Sequence, residues 1–115
     1  MDATNRKLVQ LVLDKTKAKL LSWSRGSSVN EYKTELNSAT LYIAYGINEE
    51  INAYPPLNEL SMYMYNGTGA PINLARELSC NIDYDLLNEL YEVAKDSCTK
   101  ESETISNLFD ELNAL

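Results

Sequence analysis

The hydrophobic period of this chain changes twice, and that change limits what it can fold into. From Asn5 to Leu20 the pattern is helical. Val9, Val12, Leu13, Thr16 and Leu20 fall on one side, and Lys7, Asp14, Lys15, Lys17 and Lys19 on the other. Thr4 or Asn5 is placed to cap the start, and the late lysines suit the negative end of the helix dipole. Between Leu21 and Arg76 the period drops to two. Leu21–Arg25, with Trp23 at its centre, alternates up to the Gly26-Ser27-Ser28 turn cluster, and Tyr32–Leu36 alternates again. Asn37-Ser38-Ala39 turns the chain into Thr40–Tyr45, so these two runs read as a hairpin. Glu59–Tyr65 is a fourth strand, closed by Asn66-Gly67-Thr68-Gly69, whose asparagine and glycines tolerate positive φ. Ile72–Arg76 reads as a fifth, with Pro71 marking it as an edge strand and a helical start there as the alternative. Ile47–Leu57, with Glu49, Glu50 and the Pro55-Pro56 pair, reads as an acidic excursion with one helical turn at Asn48–Asn52.

After Asp83 the helical period returns. Asp83 is placed to cap a helix from Tyr84 to Ser97, buried through Leu86, Leu87, Leu90, Tyr91, Val93 and Ala94. Thr99 or Ser102 is placed to cap a second, with Ile105, Leu108, Phe109, Leu112 and Leu115 facing inward. The expected architecture is α+β: an N-terminal helix, an antiparallel meander of about five strands, and two C-terminal helices packed on one face. A chain of 115 residues has room for one such domain.

Composition excludes whole chemistries. With no histidine there is no Ser-His-Asp or Cys-His relay and no imidazole metal site. Cys80 and Cys98 match no zinc spacing and lack the basic neighbours that would lower a thiol pKa, so reduced packing cysteines are expected. The carboxylate pairs Glu49-Glu50, Asp83/Asp85 and Glu101/Glu103 come without any metal-loop or phosphate-loop context. We therefore expect no enzyme, no catalytic residue, no metal and no cofactor. The Leu8–Leu13 run is too short for a signal core and no segment is long enough to span a membrane, so a cytoplasmic protein without a membrane partner is expected. Asn66-Gly67-Thr68 matches the glycosylation triplet but reads as a turn.

The order of helix, Trp23 strand, Tyr32-Lys33-Thr34-Glu35-Leu36-Asn37 hairpin with Leu41, and the Leu87–Tyr91 and Leu108–Leu112 helices resembles small α+β proteins of bacteria and their phages. It spans residues 8–115, with Ile47–Leu57 as an insertion. The resemblance implies the fold and carries no activity.

Two features point to binding. Alternation places Tyr42, Tyr63 and Tyr65 on the sheet face opposite Leu41, Ile43, Met62 and Met64, and Tyr45 with the latter set. Such a face is either simply good strand formers or a contact surface for a second copy or another protein, because a tyrosine buries its ring while its hydroxyl stays satisfied. It could also stack a nucleotide base, with Arg25 and Arg76 gripping the phosphate if they converge at one rim of the sheet. The charge is uneven. The first 35 residues carry seven basic and four acidic side chains, whereas Asp83–Leu115 holds nine acids and two lysines, within a net charge of −7. That surface repels nucleic acid and attracts a basic protein partner. The leading expectation is a non-catalytic acidic binding protein in an inhibitor, immunity-like or adaptor role, with a homodimer through the tyrosine face. The alternatives are a sponge or sensor for an anionic nucleotide, of the kind a phage anti-defence protein would be, and an acidic mimic of nucleic acid.

Overall fold

A computed structural model describes residues 1–48 and 56–115. In chain order the elements are α1 (Ala3–Lys17), β1 (Ser24–Arg25), β2 (Glu31–Glu35), β3 (Thr40–Asn48), β4 (Leu57–Tyr65), β5 (Ile72–Leu78) and α2 (Tyr84–Ala114). The strands form one antiparallel sheet in the order β1-β2-β3-β4-β5, a pure meander in which each strand lies beside its sequence neighbour. The expected α+β class, N-terminal helix and five-strand meander are all present.

Register decides which residues meet the helices. Tyr32, Ile43, Met62 and Ala75 line up across four strands, and with Leu41, Leu60 and Leu74 they join Val9, Val12, Leu13, Leu87, Leu90, Tyr91 and Ala94 in one buried cluster. A bulge between Met62 and Tyr63 brings the consecutive residues Leu74 and Ala75 of β5 both into that core. Trp23 ties the layers together. It is fully buried, its indole N–H donates to Thr16 Oγ1 (3.0 Å), and its backbone N–H donates to Ser97 Oγ (3.1 Å). Thr16 in turn donates to the Val12 carbonyl (2.7 Å), so the one polar atom of the indole has a partner that is itself satisfied.

Several boundaries differ from the sequence expectation. Asp2, not Thr4 or Asn5, caps α1, accepting from the Asn5 N–H at 2.7 Å. The helix stops at Lys17 because Lys19 turns into the left-handed region (φ 63°), and the Leu20 and Lys19 N–H groups close on the Lys15 and Thr16 carbonyls. Glycine usually fills that position, so the stop carries no sequence signal, and Leu20 is exposed rather than buried. Ile47 and Asn48 extend β3 and Leu57 begins β4, so both ends of the expected excursion are strand. Its middle, with Glu49, Glu50 and the helical turn expected at Asn48–Asn52, lies outside the described residues beyond Asn48.

The largest correction concerns the C-terminal half. The two expected helices are one, α2, running 31 residues without a break. Nothing between Ser97 and Glu103 interrupts it, since the stretch holds no glycine or proline. Thr99 and Thr104 cap nothing. Their hydroxyls donate back to the Lys95 and Lys100 carbonyls (3.0 and 2.9 Å), the way a threonine is accommodated inside a helix. Consequently Ile105, Leu108, Phe109, Leu112 and Leu115 do not fold back onto the core; all five are exposed. Asp83 makes no side-chain cap either, and instead pairs with Arg6 of α1 at 2.9 Å.

Candidate functional site

The sheet face opposite the helices gathers tyrosines, carboxylates and an arginine from four strands. Pairing sets Lys33, Tyr42, Tyr63 and Asn73 in one row across it, and Glu31, Ala44, Ser61 and Arg76 in the next. Tyr65 pairs with Thr40 at one end and Glu59 with Gly46 at the other. The expected common face of Tyr42, Tyr63 and Tyr65 is therefore present, with Tyr45 on the core side beside Tyr91. Tyr42 and Tyr63 stack in parallel, with centroids 4.8 Å apart and planes 3° from each other.

The Tyr63 hydroxyl donates to the Glu31 carboxylate across β3. The row position between Glu31 and Ser61 is Ala44, so no large side chain obstructs the reach. Glu31 is 5% exposed, and its other oxygen accepts from the Ser27 N–H (3.0 Å) and Ser27 Oγ (3.2 Å). Gly26 makes room for this carboxylate: a Cβ there would lie 2.6 Å from Glu31 Cγ and 2.8 Å from Cδ. Burial, together with the hydrogen bond and negative charge of Glu31, pushes the Tyr63 phenol well above its ordinary range. The tyrosine is thus a fixed neutral donor, unsuited to act as a base near neutral pH.

A second carboxylate sits toward the β4–β5 edge. Glu59 accepts from Arg76 Nε (2.8 Å) and Asn48 Nδ2 (2.6 Å). Burial raises its carboxyl pKa, and those two hydrogen bonds with the Arg76 charge more than reverse the effect, leaving it below the ordinary value. Glu59, Ser61, Tyr63, Pro71, Asn73 and Arg76 surround an open groove of about 440 Å³.

The two arginines do not converge. Arg76 is on the open face of β5 at one edge of the sheet, whereas Arg25 is on β1 at the opposite edge, paired with Tyr32 and so on the helix-covered side. The phosphate grip imagined between them has no geometric basis. The residues that sequence reasoning missed are Glu31, Glu59 and Asn48. Glu31 fell just outside the expected Tyr32–Leu36 strand, whereas β2 begins at it, and nothing in the pattern showed that Gly26 and Ser27 would bury it. Cys98 is buried in the core and Cys80 exposed, both as free thiols. Among the described residues no group of three or more Cys, Asp and Glu side chains is arranged to hold a metal ion, and no helix is long and apolar enough to cross a membrane. No protein-family model, curated protein or solved structure matches this chain.

Proposed function

We propose that this protein is a non-catalytic binding protein that acts by occupying the surface of a basic protein partner, in an inhibitor, immunity-like or adaptor role. The observation that carries this reading is the pre-ordered open sheet face, with the Tyr42–Tyr63 stack at its centre and Glu31 locked to Tyr63. Tyrosines held this way offer large contact area with little side-chain freedom left to lose on binding. Lys33 and Arg76 on the same face are already paired with Glu35 and Glu59, so it is the −7 net charge of the chain as a whole that favours a partner presenting lysine or arginine.

The nucleotide alternative keeps one supporting feature, the groove beside Tyr63 and Arg76. It is the weaker reading because Arg76 already pairs with Glu59, whose carboxylate lines the same groove. Nucleotides that raise the melting temperature of the wild type but not of Arg76→Gln would revive it.

The decisive experiment is affinity capture from host extract with the wild type and with the double variant Tyr42→Ser/Tyr65→Ser, then titration of the captured protein in purified form. Neither ring belongs to the buried cluster, so the variant keeps its core. The expected result is at least a tenfold loss of affinity for the purified partner. Equal affinity would move the docking surface off the sheet.

A further inference from the structure

Helix α2 carries one apolar seam, broken at Glu101, and the body of the protein covers only the first half of it. In steps of seven, Tyr91, Cys98, Ile105 and Leu112 follow one line, and Ala94, Glu101, Leu108 and Leu115 the line beside it. Tyr91, Ala94 and Cys98 are buried, whereas Ile105, Leu108, Phe109, Leu112 and Leu115 are between 49% and 102% exposed. Because α2 is continuous, the exposed stripe points the same way as the side chains that pack on the sheet and α1. Past Cys98 every residue of α2 is exposed, and the molecule is stretched to 57 Å along its longest axis.

We propose that the occupant of this stripe is a second copy of the chain, whose α2 packs antiparallel along it in a two-fold symmetric dimer. Three observations support a copy rather than another partner. The sustained heptad spacing is the one by which two helices pack with their seams facing. The area also fits: the five side chains present roughly 500 Å² of apolar surface, while a stable pair needs about 800 Å² per partner. Part of the remainder is at hand in a groove of about 500 Å³ beside the point where α2 leaves the body, with Leu21, Val93, Lys19 and Lys100 among its walls.

The third observation is charge. An antiparallel pair lays the last turns of one α2 against the exit region of the other, and it sets like flanks of the two seams together. Glu111 lies on the groove side of the stripe, one heptad beyond the groove residue Thr104. Pairing therefore brings Glu111 of each copy toward the groove of the other, whose walls hold Lys17, Lys19 and Lys100 beside Asp96 and Glu101. Lys17 is held by Glu89, which leaves Lys19 and Lys100 as the natural partners. One chain thus carries both halves of the match, which is what a two-fold contact requires. The sheet face proposed to bind a partner stays open in this dimer, and the two interfaces fail or succeed independently.

Sedimentation velocity and isotope-resolved cross-linking test this. The wild type is expected to sediment as a dimer at tens of micromolar, about twice its 13.0 kDa mass, and Leu108→Ser/Leu112→Ser as a monomer. Both positions are exposed, so the variant's body should melt as the isolated wild-type monomer does. A zero-length carboxyl–amine reagent applied to mixed light and heavy protein should join Glu111 of one copy to Lys19 or Lys100 of the other. A wild type that stays monomeric at 100 µM overturns the proposal, including one that instead captures a different protein through this stripe. A dimer that survives the double substitution, or whose cross-links cluster on the tyrosine face, overturns it equally.

Discussion

The inner and outer halves of α2 have the same apolar period and opposite fates. From Tyr84 to Cys98 the stripe lies on the sheet and α1, and Leu87, Leu90 and Ala94 are fully buried. From Thr99 onward every residue is exposed, although Ile105, Leu108 and Leu112 repeat the same spacing. Amphipathic period reports that a helix has a sticky side. It does not report what that side sticks to, or whether the chain itself supplies the cover. In the inner half the cover is local and comes with folding, whereas in the outer half no described residue of the chain buries the stripe.

The sharpest way to separate the halves is one truncation in each. Leu90→Ala leaves a cavity among Val9, Leu13 and the sheet residues and should cost about 2–5 kcal/mol, a large share of a small domain's stability. Leu108→Ala removes a side chain that touches little in the monomer, so below the concentration of any association it should change stability by no more than about 0.5 kcal/mol. Urea denaturation followed by circular dichroism measures both. Similar losses at the two positions would mean that the outer half packs on its own body.

This comparison also shows where the sequence was readable. Val9, Val12, Leu13, Leu87, Leu90 and Ala94 were recognisable as core from spacing alone, because a helix on a sheet must bury one stripe. The five strands were recognisable from alternation and from turn residues such as Asn66-Gly67. The common face of Tyr42, Tyr63 and Tyr65 followed from the strict two-residue period. What was not readable depended on tertiary partners or on missing punctuation. Thr99 and Ser102 look like caps, yet a cap is used only where the chain has stopped being helical, and nothing there stops it. The Glu31 site rests on Gly26 yielding space to a carboxylate that follows five residues later, which no periodicity encodes. The separation of Arg25 from Arg76 required the strand order.

A break introduced into each half carries the comparison further. Proline costs a helix interior about 3 kcal/mol or more, through the lost N–H and the clash with the preceding turn. At Glu103→Pro that penalty falls on a segment with nothing beneath it. Ellipticity corresponding to about a dozen helical residues should disappear while the melting temperature of the body shifts by no more than a few degrees. At Glu92→Pro, an exposed position within the inner half, the same penalty should lower the melting temperature of the whole protein, because helix and core there unfold together. Equal shifts from the two prolines would show that α2 melts as one unit.

The smallest effect tests why the inner half starts where it does. Asp83 stands at the helix start, where sequence alone assigns it as a cap, but its backbone is already helical (φ −80°, ψ −5°) and its carboxylate accepts from Arg6 Nε (3.2 Å) and Nη2 (2.9 Å). That hydrogen bond and the guanidinium charge hold the Asp83 carboxyl below its ordinary value against the opposing pull of burial, and Asp83 reciprocally raises Arg6. A carboxyl whose folded pKa is depressed contributes stability above its unfolded value of about 4 and loses it as pH falls through the folded one. The pair therefore anchors α2 to α1 at neutral pH and lets go in acid. Since both groups reach water, the contribution is modest and weakened by salt. Asp83→Asn should flatten part of the fall in stability between about pH 5 and pH 2. Removing Arg6 as well, in Arg6→Gln/Asp83→Asn, should then cost less than the two single losses added together. Strict additivity would show that the Arg6–Asp83 contact itself adds nothing, leaving Asp83 to work through the Met1 amine 3.7 Å away and the helix dipole.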